Sequence, residues 1–302
     1  MISGPTAAGK SGLALSLAER SGGVVINADS MQLYSDLRVL TARPDDSELS
    51  RATHRLYGVL DGAERASVAS WLAMASREVM EAREAGRLAI LVGGTGLYFH
   101  AALHGLAPVP DVPLDIHAAC VEEYATQGGE AFRRSLGELD PVLGARLHSG
   151  DSQRLVRAMG VVRATGRALS EWQSDIHEGA IAGTPVCIAV TPPRDVLYEQ
   201  INQRFSAMVN EGALGEVAAL AARRLDPSLP VMKAIGVREI MALQVGAIDR
   251  AGAIERASRD SRRYAKRQMT WVRNNFRADF ILEKKYSERN IEEIFSILSK
   301  TG

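Results

Sequence analysis

Short apolar runs alternate with amphipathic segments over the first part of the chain. The pattern predicts buried strands at Val24 to Asn27 and at Leu88 to Val92, with an amphipathic helix from Ala69 to Glu84 between them. Only Met1 to Ser3 precede the first glycine-rich turn, so we expect either a short first strand or a longer natural N-terminus that extends it. Strands that alternate with helices are typical of a parallel sheet covered on both faces, and such a sheet binds ligands at the carboxyl ends of its strands.

The pattern changes after the prolines at 108, 110 and 113. From there the apolar residues recur at helical spacing, and no strand is evident before Val186 to Val190, which indicates a helical insertion. The residues predicted to line its helices are Phe132, Leu136 and Leu139, and Leu155, Ala158, Met159 and Val162. The helix after the returning strand carries Leu197, Ile201, Phe205 and Met208. We predict a first part of the core at 1–110, an insertion at 111–183, and a return to the core with basic C-terminal helices at 184–302.

The composition is that of an ordinary globular protein. Of 302 residues, 46% are hydrophobic and 24% are charged, which excludes a disordered chain or a fibrous rod. Because 36 basic residues balance 36 acidic ones, a polyanionic partner would have to be bound by a local patch. The two cysteines, Cys120 and Cys187, are far apart in the sequence and lack the spacing of metal ligands. Such isolated cysteines are typical of proteins in a reducing cytosol. No apolar run is long enough to span a bilayer, so we expect a soluble, cytoplasmic protein without a membrane partner.

The strongest motif is a phosphate-binding loop. The segment GPTAAGKS fits the pattern GxxxxGK[ST], in which glycines let backbone N–H groups surround an anion. A helix predicted from Ser11 to Ala18 would point its positive N-terminal end at the same anion. Lys10 adds a positive charge, and the hydroxyl of Ser11 is suited to bind Mg²⁺. The residues expected to hold the anion are Gly4, Pro5, Thr6, Ala7, Ala8, Gly9, Lys10 and Ser11.

A phosphate loop alone does not identify the reaction, which depends on the groups nearby. The strand Leu88 to Val92 ends in the turn Gly93 to Gly96, which offers no carboxylate to bind a metal. Asp29 follows the strand Val24 to Asn27 and is therefore the leading candidate for a general base or an outer metal ligand. The alternative role for this aspartate is a turn or a helix N-cap.

Several segments occur together in the order and spacing of one family. Besides GPTAAGKS, they are DSMQLY at 29–34, TARP at 41–44, GGTGLYF at 93–99, QRLVR at 153–157, GALGEV at 212–217, KAIGVRE at 233–239 and RYAKRQMTW at 263–271. Together they resemble the tRNA dimethylallyltransferases, also called tRNA isopentenyltransferases. The resemblance implies a phosphate-loop fold, namely an α/β, NTPase-like parallel sheet flanked by helices, with a helical insertion domain.

The resemblance also implies a reaction. The loop would bind dimethylallyl diphosphate, and the exocyclic amine of the tRNA adenosine just 3′ of the anticodon would attack the allylic carbon and release diphosphate. Asp29 would take the proton of the amine, and Mg²⁺ would bind at Ser11. The residues implied to act on the diphosphate are Thr6, Lys10 and Arg204, with Arg194 as an alternative arginine. Family members also suggest a monomer.

The same resemblance implies an interface with tRNA. Its residues are Asp29, Ser30, Met31, Gln32, Thr95, His117, Gln153, Arg154, Leu155, Val156 and Arg157, with the block at 233–239 nearby. Many family members carry arginine where His117 stands in this chain. Imidazole is mostly neutral near pH 7, so a backbone contact at His117 is expected to be weaker or dependent on pH.

A concentrated basic segment lies near the C-terminus. From Arg256 to Arg277 there are eight basic residues and a single acid. As a helix, the segment divides into a mostly apolar face, which includes Tyr264 and Gln268, and a basic face. Such a face is often only solvated, but it also fits a grip on a phosphate backbone, for which Arg263 and Lys266 are the candidates.

Two other functions remain open from the sequence. A nucleotide or small-molecule kinase would share the phosphate loop, the α/β pattern and the helical insertion, with the arginines between 154 and 167 as a lid. The basic C-terminal helix would have no role in such a kinase. A non-catalytic RNA-binding module with a retained nucleotide site would not need Asp29 beside Lys10 and Ser11.

Overall fold

The structure is a computed structural model that describes residues 1–301. Its core is a six-stranded sheet in the order β3-β2-β4-β1-β5-β6. The strands are β1 (Ile2–Ser3), β2 (Val24–Asn27), β3 (Thr53–Arg55), β4 (Ala89–Gly93), β5 (Ile188–Val190) and β6 (Phe280–Leu282). All neighbouring strands pair in parallel, which confirms the predicted α/β fold with a parallel sheet.

Helices account for most of the remaining chain. They are α1 (Lys10–Ser21), α2 (Asp46–Arg51), α3 (Val68–Glu84), α4 (Gly96–His104), α5 (Leu114–Gln127), α6 (Gly129–Leu139), α7 (Pro141–Arg146), α8 (Ser152–Thr165), α9 (Leu169–Ser174), α10 (Arg194–Glu211), α11 (Ala213–Ala222), α12 (Val237–Gln244), α13 (Arg250–Asn275) and α14 (Glu288–Thr301). Short 3-10 helices cover Met31–Leu33 and Val231–Lys233. Within residues 1–301, no helix combines the length and the apolar character that a bilayer span requires.

The sequence located the central strands and missed the two at the edges. The predicted strands at 24–27 and 88–92 correspond to β2 and β4, and β1 covers two residues. The edge strands β3 and β6 have three residues each, and β3 reads Thr-His-Arg, with no buried residue. β3 contains no apolar residue, and the apolar run of β6 is too short for its spacing to distinguish a strand from a helix.

The chain forms two compact units. The larger unit consists of Met1–Leu103 together with the chain from Ile181 onward, and the smaller unit is His104–Ala180, where we predicted an insertion at 111–183. Helices α5 to α9 of the smaller unit pack around a common apolar core. That core contains the predicted residues Phe132, Leu136, Leu155, Ala158 and Met159.

The prediction for Leu139 was wrong, because its side chain is 49% exposed. Leu139 is the last residue of α6, and the chain turns immediately after it. Asp140 is buried at this turn and accepts a hydrogen bond from the Leu143 N–H, which begins α7. The apolar spacing therefore extends to the last residue of the helix, where the side chain is no longer covered by the core.

The order of the strands brings three loops to one edge of the sheet. β2, β4 and β1 are adjacent, and each runs in the same direction. The phosphate loop follows β1, Asp29 follows β2, and the turn Gly93 to Gly96 follows β4. These three segments therefore meet at the carboxyl edge, where open α/β sheets bind ligands.

Candidate active site

The phosphate loop connects β1 to α1. Ala7 and Gly9 have positive φ angles of 63° and 88°, which turn the loop back on itself. A side chain at Gly4 would collide with the backbone carbonyl of Val190, so glycine is required at the start of the loop. Lys10 begins α1, and its Nζ donates a hydrogen bond to the Pro5 carbonyl at 2.6 Å. The loop thus places a lysine and a helix N-terminus around one concave surface.

Burial disfavours the charged form of Lys10 in the free protein. Desolvation lowers the pKa of Lys10 from its ordinary value of 10.5 to about 8. The carboxylate of Asp29 opposes this shift, and the positive charge of Arg204 adds to it. An anion bound in the loop would stabilise the ammonium form of Lys10. The buried lysine therefore favours binding of a negatively charged group.

Asp29 is fixed in place by the residue two positions before it. Its backbone N–H donates to Asn27 Oδ1 at 2.8 Å, and Asn27 Nδ2 donates to the Asp29 carbonyl at 2.9 Å. Asp29 Oδ1 accepts a hydrogen bond from the Met31 N–H at 3.0 Å, just where the 3-10 helix Met31–Leu33 begins. The turn role that the sequence left open is therefore present, and one carboxylate oxygen serves it.

Asn27 is a functional residue that sequence reasoning missed. It is fully buried at the end of β2, and its Nδ2 also donates to the Leu56 carbonyl at 3.0 Å. Its carbonyl accepts from Trp71 Nε1 at 2.9 Å, and Trp71 stacks on Tyr98 with a centroid separation of 4.2 Å. The only sign of Asn27 in the sequence is that a polar residue ends an apolar strand. Its partners Leu56 and Trp71 lie far along the chain, so no local pattern links them to it.

Thr95 and Arg204 contact the loops on either side of Asp29. Thr95 Oγ1 accepts the Ser30 N–H at 3.0 Å, so this threonine holds the segment after Asp29. Arg204, on α10, donates from Nη1 to Thr6 Oγ1 at 3.4 Å. Desolvation lowers the pKa of Arg204, and the nearby Asp29 carboxylate opposes that shift. The alternative arginine, Arg194, instead lies over the ring of Tyr198.

Two cavities meet beside Asp29. The larger, of about 660 Å³, is lined by the phosphate loop from Thr6 to Gly12. The smaller, of about 310 Å³, has apolar walls from α10 together with Tyr264 and Arg267 of α13. Thr6, Ala7, Asp29, Thr41, Arg204 and Met208 line both cavities. A ligand in the phosphate loop and a second ligand under α13 would therefore meet at Asp29.

The segment 38–44, which borders the larger cavity, is held from two sides. The carboxylate of Glu216 accepts the backbone N–H groups of residues 38–40 at 2.7 to 3.1 Å. Gln32 Nε2 donates to the carbonyls of residues 41 and 42 at 2.9 and 2.8 Å. These bonds connect the DSMQLY and GALGEV segments to the stretch that ends in TARP, although sequence reasoning had treated the three as separate blocks.

The predicted RNA contacts of the larger unit lie around the site. Ser30, Met31 and Gln32 are partly buried beside Asp29, and Arg263 and Lys266 are exposed on α13. The other exposed basic residues of this stretch are Arg256, Arg259, Arg267, Arg273 and Arg277. The apolar face of α13 is buried, as its spacing predicted, with Ala257, Gln268 and Val272 among its buried residues.

The predicted RNA contacts of the smaller unit differ among themselves. His117 is exposed on α5, and Gln153 and Arg154 are exposed at the start of α8. Leu155 and Val156 are buried in the core of this unit, so their side chains present almost no surface to a ligand. Arg157 is partly buried, and its Nη2 donates to the Pro110 carbonyl at 3.4 Å.

Comparisons with known proteins give the chain a family. Residues 32–275 match the family model described as IPP transferase. The tRNA dimethylallyltransferase of Rhodospirillum rubrum is 50% identical over 303 aligned residues, which cover 99% of this chain and 93% of that protein. The tRNA isopentenylpyrophosphate transferase of Bacillus halodurans, a solved structure, is 33% identical and superposes with a TM-score of 0.70 over 99% of this chain and 95% of that one.

A third similarity concerns the fold alone. The solved structure of a eukaryotic dimethylallyltransferase acting on tRNA has a TM-score of 0.84 at 22% identity, covering 100% of this chain and 79% of that one. The family match extends over most of the chain, and the relative from Rhodospirillum rubrum spans nearly all of it. The expected family resemblance is thereby confirmed, and the chain belongs to the IPP transferase family.

Proposed function

We propose that this protein transfers the dimethylallyl group of dimethylallyl diphosphate to the exocyclic amine of the adenosine just 3′ of the anticodon in tRNA, with release of diphosphate. Relatives named tRNA dimethylallyltransferase support tRNA prenylation over the kinase alternative. The observation that carries the proposal is the position of Asp29, which lines both the cavity of the phosphate loop and the cavity beneath α13.

The phosphate loop would stabilise the leaving group. As the bond between the allylic carbon and its oxygen breaks, the electron pair stays on the diphosphate, whose negative charge increases. Lys10, the Thr6 hydroxyl and Arg204 border the cavity where this charge would develop. Interactions that strengthen in the transition state raise the rate, whereas equal binding of substrate and transition state does not.

Asp29 would act as the general base. The adenine amine forms a bond to the allylic carbon and must lose a proton, which the carboxylate accepts. Asn27 fixes the backbone of Asp29, and the Met31 N–H donates to one oxygen of its carboxylate. Asp29 lines both cavities, which supports a role in receiving a proton from an amine that enters from the side of α13.

Mg²⁺ fits this site as an ion held mainly by the substrate. Among the described residues, no group of three or more histidine, cysteine or acidic side chains could hold a metal ion. Mg²⁺ commonly binds through few protein oxygens and the phosphates of its substrate, and the exposed Ser11 at the start of α1 offers one such oxygen. When bound, the ion would offset charge on the diphosphate.

The RNA would be held by basic residues outside the cavities. An adenine stacked in an anticodon loop cannot reach Asp29, so the base has to be turned out of the loop. The exposed arginines and lysine of α13 are suited to bind the phosphates around it.

A tRNA substrate would place the protein in the cytoplasm. We expect the protein to act as a monomer, which light scattering would test.

The decisive experiment is transfer of a labelled dimethylallyl group to an anticodon stem-loop with adjacent adenosines, in the presence of Mg²⁺. A parallel reaction replaces the prenyl donor with γ-labelled ATP and offers nucleotides as acceptors. We expect label in the RNA from the prenyl donor alone. Phosphate transfer from ATP without prenyl transfer would contradict the proposal and favour a kinase.

A further inference from the structure

Gln268 is a buried polar residue on the mostly apolar, buried face of α13. Its Oε1 accepts the backbone N–H of Thr6 at 2.8 Å, and its Nε2 donates to the carbonyl of Gly94 at 2.8 Å. One amide therefore joins the phosphate loop to the turn after β4. A hydrophobic residue would satisfy neither backbone group, which explains an amide at a core position.

The turn after β4 is shaped to receive α13. A side chain at Gly94 would collide with the amide of Gln268, and one at Gly96 would collide with the indole of Trp271. Gln268 and Trp271 lie three residues apart on one face of α13. Gly94 and Gly96 of GGTGLYF therefore pack closely against Gln268 and Trp271 of RYAKRQMTW.

The same contact extends to the segment that carries Asp29. Thr95 in this turn accepts the Ser30 N–H, and Tyr264, one helical turn before Gln268, lines the smaller cavity together with Asp29 and Ser30. Thr6 is also bound by Arg204 through its hydroxyl. Gln268 therefore lies where all three loops of the site are connected.

The opposite face of α13 is exposed and basic. Arg263 and Lys266 lie within one or two turns of Gln268 on this helix. A phosphate backbone bound there would favour one position of α13. Because Gln268 links α13 to the Thr6 amide, that preference would reach the phosphate loop through a short, buried connection.

We propose that Gln268 is a positioning residue that couples the two substrates, so that RNA bound on α13 and diphosphate bound in the phosphate loop strengthen each other's binding. The inference rests on the proposed function, since it takes the basic face of α13 as the RNA surface. Coupling between sites is reciprocal, so each ligand should raise the affinity of the other by the same factor, on the order of tenfold.

The test is the affinity for inorganic pyrophosphate with Mg²⁺, measured by calorimetry with and without a saturating anticodon stem-loop. We expect the stem-loop to raise the affinity in the unaltered protein. Gln268→Met keeps the volume and removes both hydrogen bonds, so the increase should be lost while each ligand still binds alone. Prenyl transfer by this variant should show a raised KM for the prenyl donor that added RNA no longer lowers.

Ser258→Ala is the matched control. Ser258 is buried on the same helix, and its hydroxyl has no hydrogen-bond partner within the described part of the chain. This variant should keep the full coupling. Should Gln268→Met not fold, Gln268→Glu provides a second test, because a carboxylate can still accept from the Thr6 N–H but cannot donate to the Gly94 carbonyl.

Three results would overturn the proposal. The first is that the stem-loop leaves the pyrophosphate affinity of the unaltered protein unchanged. The second is that a Gln268 variant keeps the full coupling. The third is that a variant lowers the affinity for both ligands equally without changing the factor that couples them. Failure of the proposed function would look different. In that case the unaltered protein would transfer no prenyl label, whatever the binding measurements showed.

Discussion

The two units of the chain use their predicted functional residues in opposite ways. In the larger unit, Asp29 and Thr95 are hydrogen-bonded to Met31 and Ser30 of the segment after β2, and Thr6 is held by Gln268 of α13. In the smaller unit, Gln153 and Arg154 are exposed at the start of a helix whose next two residues are buried in the core. Changes in the first group should therefore alter the chemistry, and changes in the second should alter either RNA affinity or folding.

The largest effect is expected from Asp29→Asn. The amide keeps the size of the side chain and can still accept the Met31 N–H through Oδ1, but it cannot take the proton of the amine. We expect the rate of prenyl transfer to fall by about a hundred- to ten-thousandfold. Single-turnover transfer to a stem-loop measures the rate, and filter binding should give an unchanged RNA affinity. Equal losses in rate and affinity would assign Asp29 a structural role only.

Leu155→Ala tests the smaller unit from within. Leu155 is fully buried in its core, so the truncation leaves a cavity and should lower the free energy of unfolding by about 2–5 kcal/mol. Urea denaturation measures this loss. Arg154→Ala, at the neighbouring exposed position, is the control and should leave stability nearly unchanged. A stable Leu155→Ala protein with weakened RNA binding would instead make Leu155 a direct contact.

Reversing the charge of Arg263 and Lys266 together tests the basic face of α13. Both side chains are exposed, so folding should be unaffected. If each neutralises one RNA phosphate, affinity should fall and the slope of log K against log salt should become less steep by about 0.7–0.9 per contact. Titrations of the stem-loop at several salt concentrations measure the slope. An unchanged slope would show that this face is merely solvated.

The smallest effect is a pH dependence of anion binding. The pKa of Lys10 is about 8 in the free protein, and a bound diphosphate should raise it. Above pH 8 the free protein has lost this proton, so binding must take it up, and affinity should fall by up to about tenfold per pH unit. Calorimetry with pyrophosphate between pH 7 and 9.5 measures the trend. Lys10→Met should bind pyrophosphate more weakly and lose the part of the pH dependence that comes from Lys10. If the affinity of Lys10→Met fell with pH as steeply as that of the unaltered protein, Lys10 would not be the group that takes up the proton.

Sequence patterns predicted those features of the fold and the site that depend on residues close together in the sequence. Glycine spacing located the phosphate loop, apolar periodicity located α10 and the buried face of α13, and the position of Asp29 after β2 followed from the strand itself. The residues that escaped prediction act through backbone groups far along the chain. Asn27 binds the carbonyl of Leu56, and Glu216 binds the N–H groups of residues 38–40. No periodicity records such pairs, because only the fold brings their partners together.

The central claim is that a diphosphate in the phosphate loop and an adenine under α13 meet at Asp29. The most direct test is to let the protein react with a full tRNA and dimethylallyl diphosphate, digest the product and identify the modified nucleoside and its position by mass spectrometry. We predict a single dimethylallyl group on the exocyclic amine of the adenosine just 3′ of the anticodon, and its absence with Asp29→Asn. A dimethylallyl group on another atom or another nucleotide, or one formed equally well without Asp29, would contradict this claim.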